Sequence, residues 1–212
     1  QKWQSNVERG LVAQDGVVID LVTVRDVYMF GPRIGFLLLD VDATMDGVRL
    51  PGAVLLRGAS AVVLMWFRVE GHVRVLLVKQ PRLATGRCTW EPPAGMIDGN
   101  GDIQGRMFLE IREETGVVVR KEDLVHHSDV RPYTSCGLLD EELELFSVEI
   151  DPPDLDSPGG VLGNRSEGEV ICTVEAVPLE DPRVCMDAKL LLLLSVVEFV
   201  AGPKSSDILN QL

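Results

Sequence analysis

Apolar runs broken by glycine and proline organise this chain. Val17–Val22 and Arg33–Val41 hold β-branched and other apolar residues, with breaks at Gly31-Pro32 and Pro51-Gly52. They predict a strand-rich part over residues 1–58. Ala61–Val69 and Val73–Val78 follow, and Glu70-Gly71-His72 between them predicts a short hairpin turn. Pro92-Pro93-Ala94-Gly95 ends the strand run and opens a loop. A helix is predicted from Ile103 to Thr115, with Asp102 as its N-cap and Gly116 as its stop. Strands are expected at Glu142–Ile150 and Glu169–Val177. Asp151–Gly168 between them is rich in Pro, Gly, Asp and Ser, and reads as a long mobile loop of the kind that is functional or disordered. A last helix covers Met186–Ala201, and the tail beyond Gly202 is expected to fray. Mixed strands with two helices make the chain α+β. A β-rich domain is expected over 1–58, a second domain over 59–202 and a tail over 203–212.

Composition narrows the class. The chain has 212 residues and is 46% hydrophobic, enough for a substantial core. Its formal net charge is −13. An acidic surface argues against nucleic-acid binding, which needs a basic footprint. An anionic substrate would need local Arg or Lys, or a metal. Cys88, Cys136, Cys172 and Cys185 show no metal-ligand spacing, and read as buried or partly buried thiols in a reducing compartment. The apolar run Leu190–Val197, bounded by Lys189 and Glu198, is far shorter than the ~20 residues that span a bilayer. No membrane association is expected. A cytoplasmic location is, with an upstream targeting signal left open because the chain begins at Gln1.

The predicted helix carries the candidate chemistry. At about 100° per residue, Ile103, Met107 and Ile111 form an apolar stripe. Glu110, Glu113 and Glu114 share one side of the helix, bordering that stripe. Like charges at i,i+3 and i,i+4 repel by a few tenths of a kcal/mol each. The acids also lie toward the C-terminal half, where the helix dipole disfavours them. A solvated acidic face is one account, with Arg106 four residues before Glu110 as partial compensation. A divalent cation is the other. The acids border the buried stripe and follow the Ala94-Gly95 loop, and a hard cation such as Mg²⁺ takes carboxylates together with water and phosphate oxygens.

The segment from Gly95 to Val117 resembles the Nudix box: Gly, five residues, Glu, seven residues, then Arg-Glu-aliphatic-x-Glu-Glu-x-Gly-aliphatic. Glu110-Ile111-Arg112-Glu113-Glu114-Thr115-Gly116-Val117 fits without a gap. Two positions depart, Gly101 for the first Glu and Leu109 for the Arg. Those two are thought to brace the loop against the helix in the family, and here both are lost together. Further segments are similar to the ADP-ribose and ADP-sugar diphosphatase group: Tyr28–Phe36, Lys79-Gln80-Pro81-Arg82, Trp90–Gly95, Ser135-Cys136-Gly137 with Asp140-Glu141-Glu142, and Gly168-Glu169-Val170.

The resemblance implies a Nudix α/β/α sandwich with a mixed sheet, a small N-terminal β-rich domain, and homodimers whose N-terminal strands reach the partner's site. It implies metal ligands at Glu110, Glu113, Glu114 and the carbonyl of Ala94, with Mg²⁺ as the ion and Mn²⁺ as a substitute. Glu169 is the expected general base, with Glu113 its rival. Arg82, Glu91, Glu141 and Lys189 are expected near the substrate. Each has a plainer alternative: a surface ion pair for Arg82, a strand-end charge for Glu91, a solvated turn for Glu141, an ordinary helix-start lysine for Lys189. His126 and His127 would point to opposite sides of a strand and form no joint site. The implied reaction is Mg²⁺-dependent hydrolysis of a nucleoside-diphosphate sugar to a nucleoside monophosphate and a sugar phosphate. ADP-glucose or ADP-ribose comes first, UDP-sugars next. The other reading is a catalytically weak or silent domain that senses a nucleotide sugar or binds a protein.

Overall fold

The computed structural model describes residues 2–97, 102–127, 131–153 and 170–197. The chain divides into two compact units. One joins Gln1–Ala59 to Pro132–Glu142, and the other joins Ser60–Arg131 to Leu143–Leu212. The 132–142 stretch thus groups with the N-terminal strands rather than with the residues beside it in sequence.

In the N-terminal unit, strands β1 (Val18–Phe30), β2 (Arg33–Met45), β3 (Val48–Arg49) and β4 (Ala53–Leu56) form an antiparallel sheet around β2. β1 and β2 are longer than their apolar runs suggested, because polar residues continue the ladder as far as the turns. Gly31 (φ 57°) sits in the two-residue turn joining Phe30 to Arg33. Asp46 and Gly47, both at positive φ, make the turn from β2 to β3. The 132–142 stretch is tied in by backbone. Leu55 N donates to Leu138 O, and Arg57 N and Gly58 N both donate to Asp140 Oδ1.

The strand-rich N-terminal part also holds a helix that its apolar runs did not predict. α1 (Lys2–Val7) is a helix that continues as a wider turn over Glu8–Val12. Trp3, Val7 and Leu11 recur every four residues, which is helical spacing. Trp3 packs against the cluster of Val17, Leu39, Val41 and Ala43 on one face of the sheet.

The second unit is a mixed sheet. β5 (Ser60–Val69), β6 (His72–Arg82), β7 (Arg87–Glu91), β8 (Ala94–Met96), β9 (Val125–His126), β10 (Leu143–Glu149) and β11 (Thr173–Pro178) follow the order β11-β6-β5-β10-β9, with β7 beside β6 and β8 beside β5. β5 and β10 run parallel, and the other pairings are antiparallel. Glu70 (φ 51°) and Gly71 (φ 83°) close the β5–β6 hairpin in two residues, with His72 already in the strand. β5 is apolar on consecutive residues because helices cover both sheet faces. α2 (Ile103–Thr115) packs Met107 and Ile111 against Ala61, Val63, Met65 and Phe146. α3 (Ala188–Val196) packs Leu190, Leu193 and Leu194 against Val62, Leu64, Leu77 and Leu145 on the other face. Two helix layers with the sheet between them make the sandwich.

α2 has the expected bounds. Asp102 accepts a hydrogen bond from Gly105 N at 2.9 Å, and Gly116 turns left-handed at φ 73° to end the helix. α3 starts two residues later than Met186, because Asp187 caps it by accepting from Lys189 N at 2.7 Å. The Asp151–Gly168 loop lies almost wholly outside the described residues, as do residues 198–201 of the expected last helix and the tail; α3 ends at Val196, where Val197 is extended.

Candidate active site

The site is built where the loop after β7 meets the C-terminal half of α2. β7 ends at Glu91, Pro92 and Pro93 leave the sheet, and β8 returns to pair Ala94 with Val62 and Gly95 with Ala61. α2 crosses this point with Glu110 and Glu114 pointing inward. Their exposures are 2% and 0%, so the solvated-face account of the acidic helix does not hold for them. A buried carboxylate needs partners. Glu114 Oε2 accepts from Ala94 N at 3.0 Å, and Glu110 Oε1 pairs with Arg106 Nη2 at 2.7 Å. Gly95 has no room for a side chain: a Cβ there would lie 2.1 Å from Glu110 Oε1. Glycine is what lets the Glu110 carboxylate rest on the strand backbone. Glu113 is half-buried, and its Oε2 is buried without a hydrogen-bond partner.

A second polar cluster lies along β6 and β7. Strand pairing sets Val78, Gln80 and Arg82 opposite Glu91, Thr89 and Arg87 on one face. Arg82 grips Glu91 with two hydrogen bonds, Nε to Oε1 at 2.7 Å and Nη2 to Oε2 at 2.8 Å. Thr89 Oγ1 donates to Glu91 Oε1 at 2.5 Å. Lys189 Nζ reaches Glu91 Oε2 at 3.5 Å and Asp187 Oδ2 at 2.6 Å. Burial pushes the Glu91 carboxyl up, but the bonds from Arg82, the Lys189 charge and the Thr89 hydroxyl outweigh it and hold it at about 2. Arg82 is raised in turn, chiefly by its bonds to Glu91. Gln80 Nε2 is buried beside this cluster without a hydrogen-bond partner.

These positions revise several expectations. Glu91 is a buried ion-pair hub rather than a strand-end charge. Arg82 keeps 43% of its side chain exposed but already spends two donors on Glu91. Lys189 joins the start of α3 to β7. Glu141 is 5% exposed and so is no solvated turn residue. It belongs to the N-terminal unit, where it pairs with Arg57 at 3.3 Å and accepts from Thr134 Oγ1 at 2.9 Å. Glu169 and Gly101 lie outside the described residues. Leu109 is 45% exposed on α2, so the missing box arginine leaves a solvent-facing leucine. His126 and His127 part as expected: His126 bonds Glu144 and stacks on Phe146, while His127 bonds Ser147. Burial, then the neighbouring His126, lowers the His127 pKa. Cys88, Cys136 and Cys172 are exposed, against the expectation of buried thiols, because all three stand outside the packed faces of the sheets.

Sequence reasoning missed Thr89 and Asp187. Thr89 had a signal, since it is two residues from Glu91 and therefore on the same strand face. Among the described residues, no three Asp, Glu, His or Cys side chains are arranged to hold a metal ion. None of the described helices is long and apolar enough to cross a membrane.

Comparison with known proteins decides the family. The chain is 32% identical over 214 residues to Nudix hydrolase 14, chloroplastic, of Arabidopsis thaliana, covering 93% of this chain and 69% of that protein. The chain belongs to the Nudix hydrolase family. It is 32% identical over 133 residues to putative nudix hydrolase 2 of Caenorhabditis elegans, covering 62% of this chain and 52% of that protein. No family model matches the chain. The fold is similar to a crystal structure of an ADP compounds hydrolase, with a TM-score of 0.60 at 17% identity, over 84% of this chain and 89% of that one. The Nudix sandwich and the identity of the chain as a pyrophosphohydrolase follow. Gly95, Glu110 and Glu114, which match the box pattern, meet at the junction of β8 with α2 described above, and Gly116 ends α2.

Proposed function

We propose that this Nudix hydrolase cleaves the diphosphate of a nucleoside-diphosphate sugar with the help of a divalent cation, giving a nucleoside monophosphate and a sugar phosphate. The observation that carries the reading is the junction itself: two buried glutamates of one helix laid against Ala94 and Gly95. The donors suit a hard cation, being carboxylates gathered at Ala94, whose carbonyl is the backbone ligand the resemblance implies. The glycine cradle and the buried, unbonded Glu113 Oε2 fit the same role. Glu110, Glu113, Glu114 and the Ala94 carbonyl would hold Mg²⁺, or Mn²⁺ in its place. Such an ion polarises a phosphate oxygen and acidifies a bound water.

The chain's own groups do the rest. Glu169 takes the proton from the attacking water, with Glu113 as the alternative base. Lys189 and Arg82 supply the positive charge that an acidic protein needs near a diphosphate, and Glu91 holds both in place. Glu141 contributes as a support within its own unit. ADP-glucose or ADP-ribose is the first substrate to try, supported by the fold likeness to an ADP compounds hydrolase, and UDP-sugars come next.

The partner is a second copy of the chain. Val18, Leu21, Val24, Tyr28 and Ile34 on the β1–β2 hairpin are all more than half exposed, an apolar surface that a homodimer would cover.

The test is release of nucleoside monophosphate from a panel of nucleotide sugars with Mg²⁺ or Mn²⁺. Glu114→Gln is expected to lose at least ~100-fold in turnover, since even the outer-shell partners of a metal are worth 10–100-fold. Tight substrate binding with no turnover under any metal would leave a silent nucleotide-sugar sensor instead. Unchanged turnover in Glu114→Gln would remove α2 from the site.

A further inference from the structure

The box helix carries a guanidinium one turn away from where the box pattern has one. Position 109 is Leu, and Arg106 stands three residues earlier. That shift matters because Arg106 is i,i+4 to Glu110 and pairs with its Oε1 at 2.7 Å. The same oxygen rests over Gly95, closest of all to where a Cβ would be. So the resident cation of the helix holds the carboxylate oxygen that lies at the box glycine.

We propose that Arg106 competes with the divalent cation for Glu110. The ion must displace the guanidinium before the box glutamates can gather around it, and Arg106 thereby sets how much metal the enzyme needs. This rests on the divalent-cation reading given above. Three physical points support competition rather than help. Two cations repel each other at one carboxylate oxygen. Arg106 is 29% exposed while Glu110 is 2% exposed, so the arginine has somewhere to go and the glutamate does not. Glu110 stays buried when Arg106 moves away, and a buried carboxylate favours a close cation, which the ion would supply. The Arg106 bond and the ion are thus alternative ways of satisfying one buried charge.

The consequence is a pair of effects with opposite signs. Without metal, Arg106→Ala leaves Glu110 short of its partner and lowers Tm. With metal, the variant binds more tightly because nothing has to be displaced. The expected gain in affinity is about ten- to a hundredfold, the worth of one charge-assisted hydrogen bond.

The experiment measures Mn²⁺ binding without nucleotide, from the loss of the free-ion electron paramagnetic resonance signal, alongside thermal melts with and without Mn²⁺. Wild type, Arg106→Ala and Glu110→Gln are compared. The expected result is tighter Mn²⁺ binding and a larger Mn²⁺-induced rise in Tm for Arg106→Ala, from a lower metal-free Tm. Should that variant not fold without metal, Arg106→Lys gives the same reading. It keeps a charge but loses the planar fork, and should fall between wild type and Arg106→Ala. Mn²⁺ binding that is lost in Glu110→Gln but unchanged or weaker in the Arg106 variants would overturn the competition alone. Mn²⁺ bound by neither wild type nor the Arg106 variants, or bound equally well by wild type and Glu110→Gln, would overturn the metal reading at Glu110 and the competition with it.

Discussion

Two β-hairpins of this chain use much the same residues and end in opposite environments. β5 and β6 are joined by a two-residue turn and bury eight and six of their residues. β1 and β2 are joined by another two-residue turn, and β1 buries none of its 13 residues. Val and Leu recur in both hairpins. What separates them is cover. α2 and α3 close the two faces of the β5–β6 sheet, while in the N-terminal unit the apolar cluster of Leu39, Val41 and Ala43 on β2 with Val17 just before β1 has Trp3 of α1 against it. Apolar content therefore predicts a strand, but not whether the strand is core. The number of faces covered decides that.

A matched truncation puts a number on the difference. Leu77 of β6 is fully buried against α3 and its neighbours, whereas Leu21 of β1 is 60% exposed. Leu77→Ala is expected to cost about 2–5 kcal/mol, from lost burial and the cavity left behind. Urea unfolding of both variants, read for the midpoint at unchanged slope, measures it. A small cost at Leu77 would mean that the sandwich can collapse around the gap, and would weaken the claim that two-sided cover defines this unit.

The fold was more legible than the site. α2 could be read to the residue because its cap, stripe and stop are local: Asp102, the Met107–Ile111 spacing and Gly116 all lie within one stretch of chain. β5 and β6 were legible for the same reason, since Glu70-Gly71 sits between two apolar runs. α1 was missed because its stripe is only three residues long and Gly10 falls near its end. The carboxylates of α2 were legible as a motif, but their burial was not. That depends on Gly95, which lies 15 residues away and becomes a neighbour only through the pairing of β8 with β5. The grip of Arg82 on Glu91 also had to be seen, because cross-strand register is not written in either strand alone. Glu141 shows the limit most plainly. The three acids in a row, Asp140-Glu141-Glu142, allow a solvated turn, yet Glu141 is buried and paired with Arg57 and Thr134.

Acid separates the two sheets a second way, because the covered one pairs the buried Glu91 of β7 with Arg82 at the end of β6. Glu91 sits at about 2, below its ordinary 4.5. A carboxyl lowered by folding adds stability that is complete above pH 4.5 and is lost as pH falls toward 2. Arg82→Ala removes the strongest of the influences that lower it, leaves burial pushing upward, and so moves this loss to higher pH. At pH 7 the variant is expected to lose about 1–3 kcal/mol, the cost of a buried charge short of one partner. Melting temperature against pH, for wild type and Arg82→Ala, checks both statements. Parallel curves would show that Lys189 and Thr89 hold Glu91 without help.

The uncovered hairpin is expected to give the smallest change in the folded monomer, and for that reason it is the sharper test of its purpose. Leu21→Ala removes apolar surface that is already in water, so at high dilution it should change stability by no more than ~0.5 kcal/mol. If a second copy covers this surface, stability must instead depend on concentration, because association favours the folded chain by mass action. Wild-type Tm should then rise with protein concentration, and Leu21→Ala should flatten the rise without moving its dilute limit. Light scattering on the same samples would show the dimer population falling in step. A Leu21→Ala cost that is the same at every concentration would mean that Leu21 serves its own unit, and that one-sided cover is all this hairpin requires.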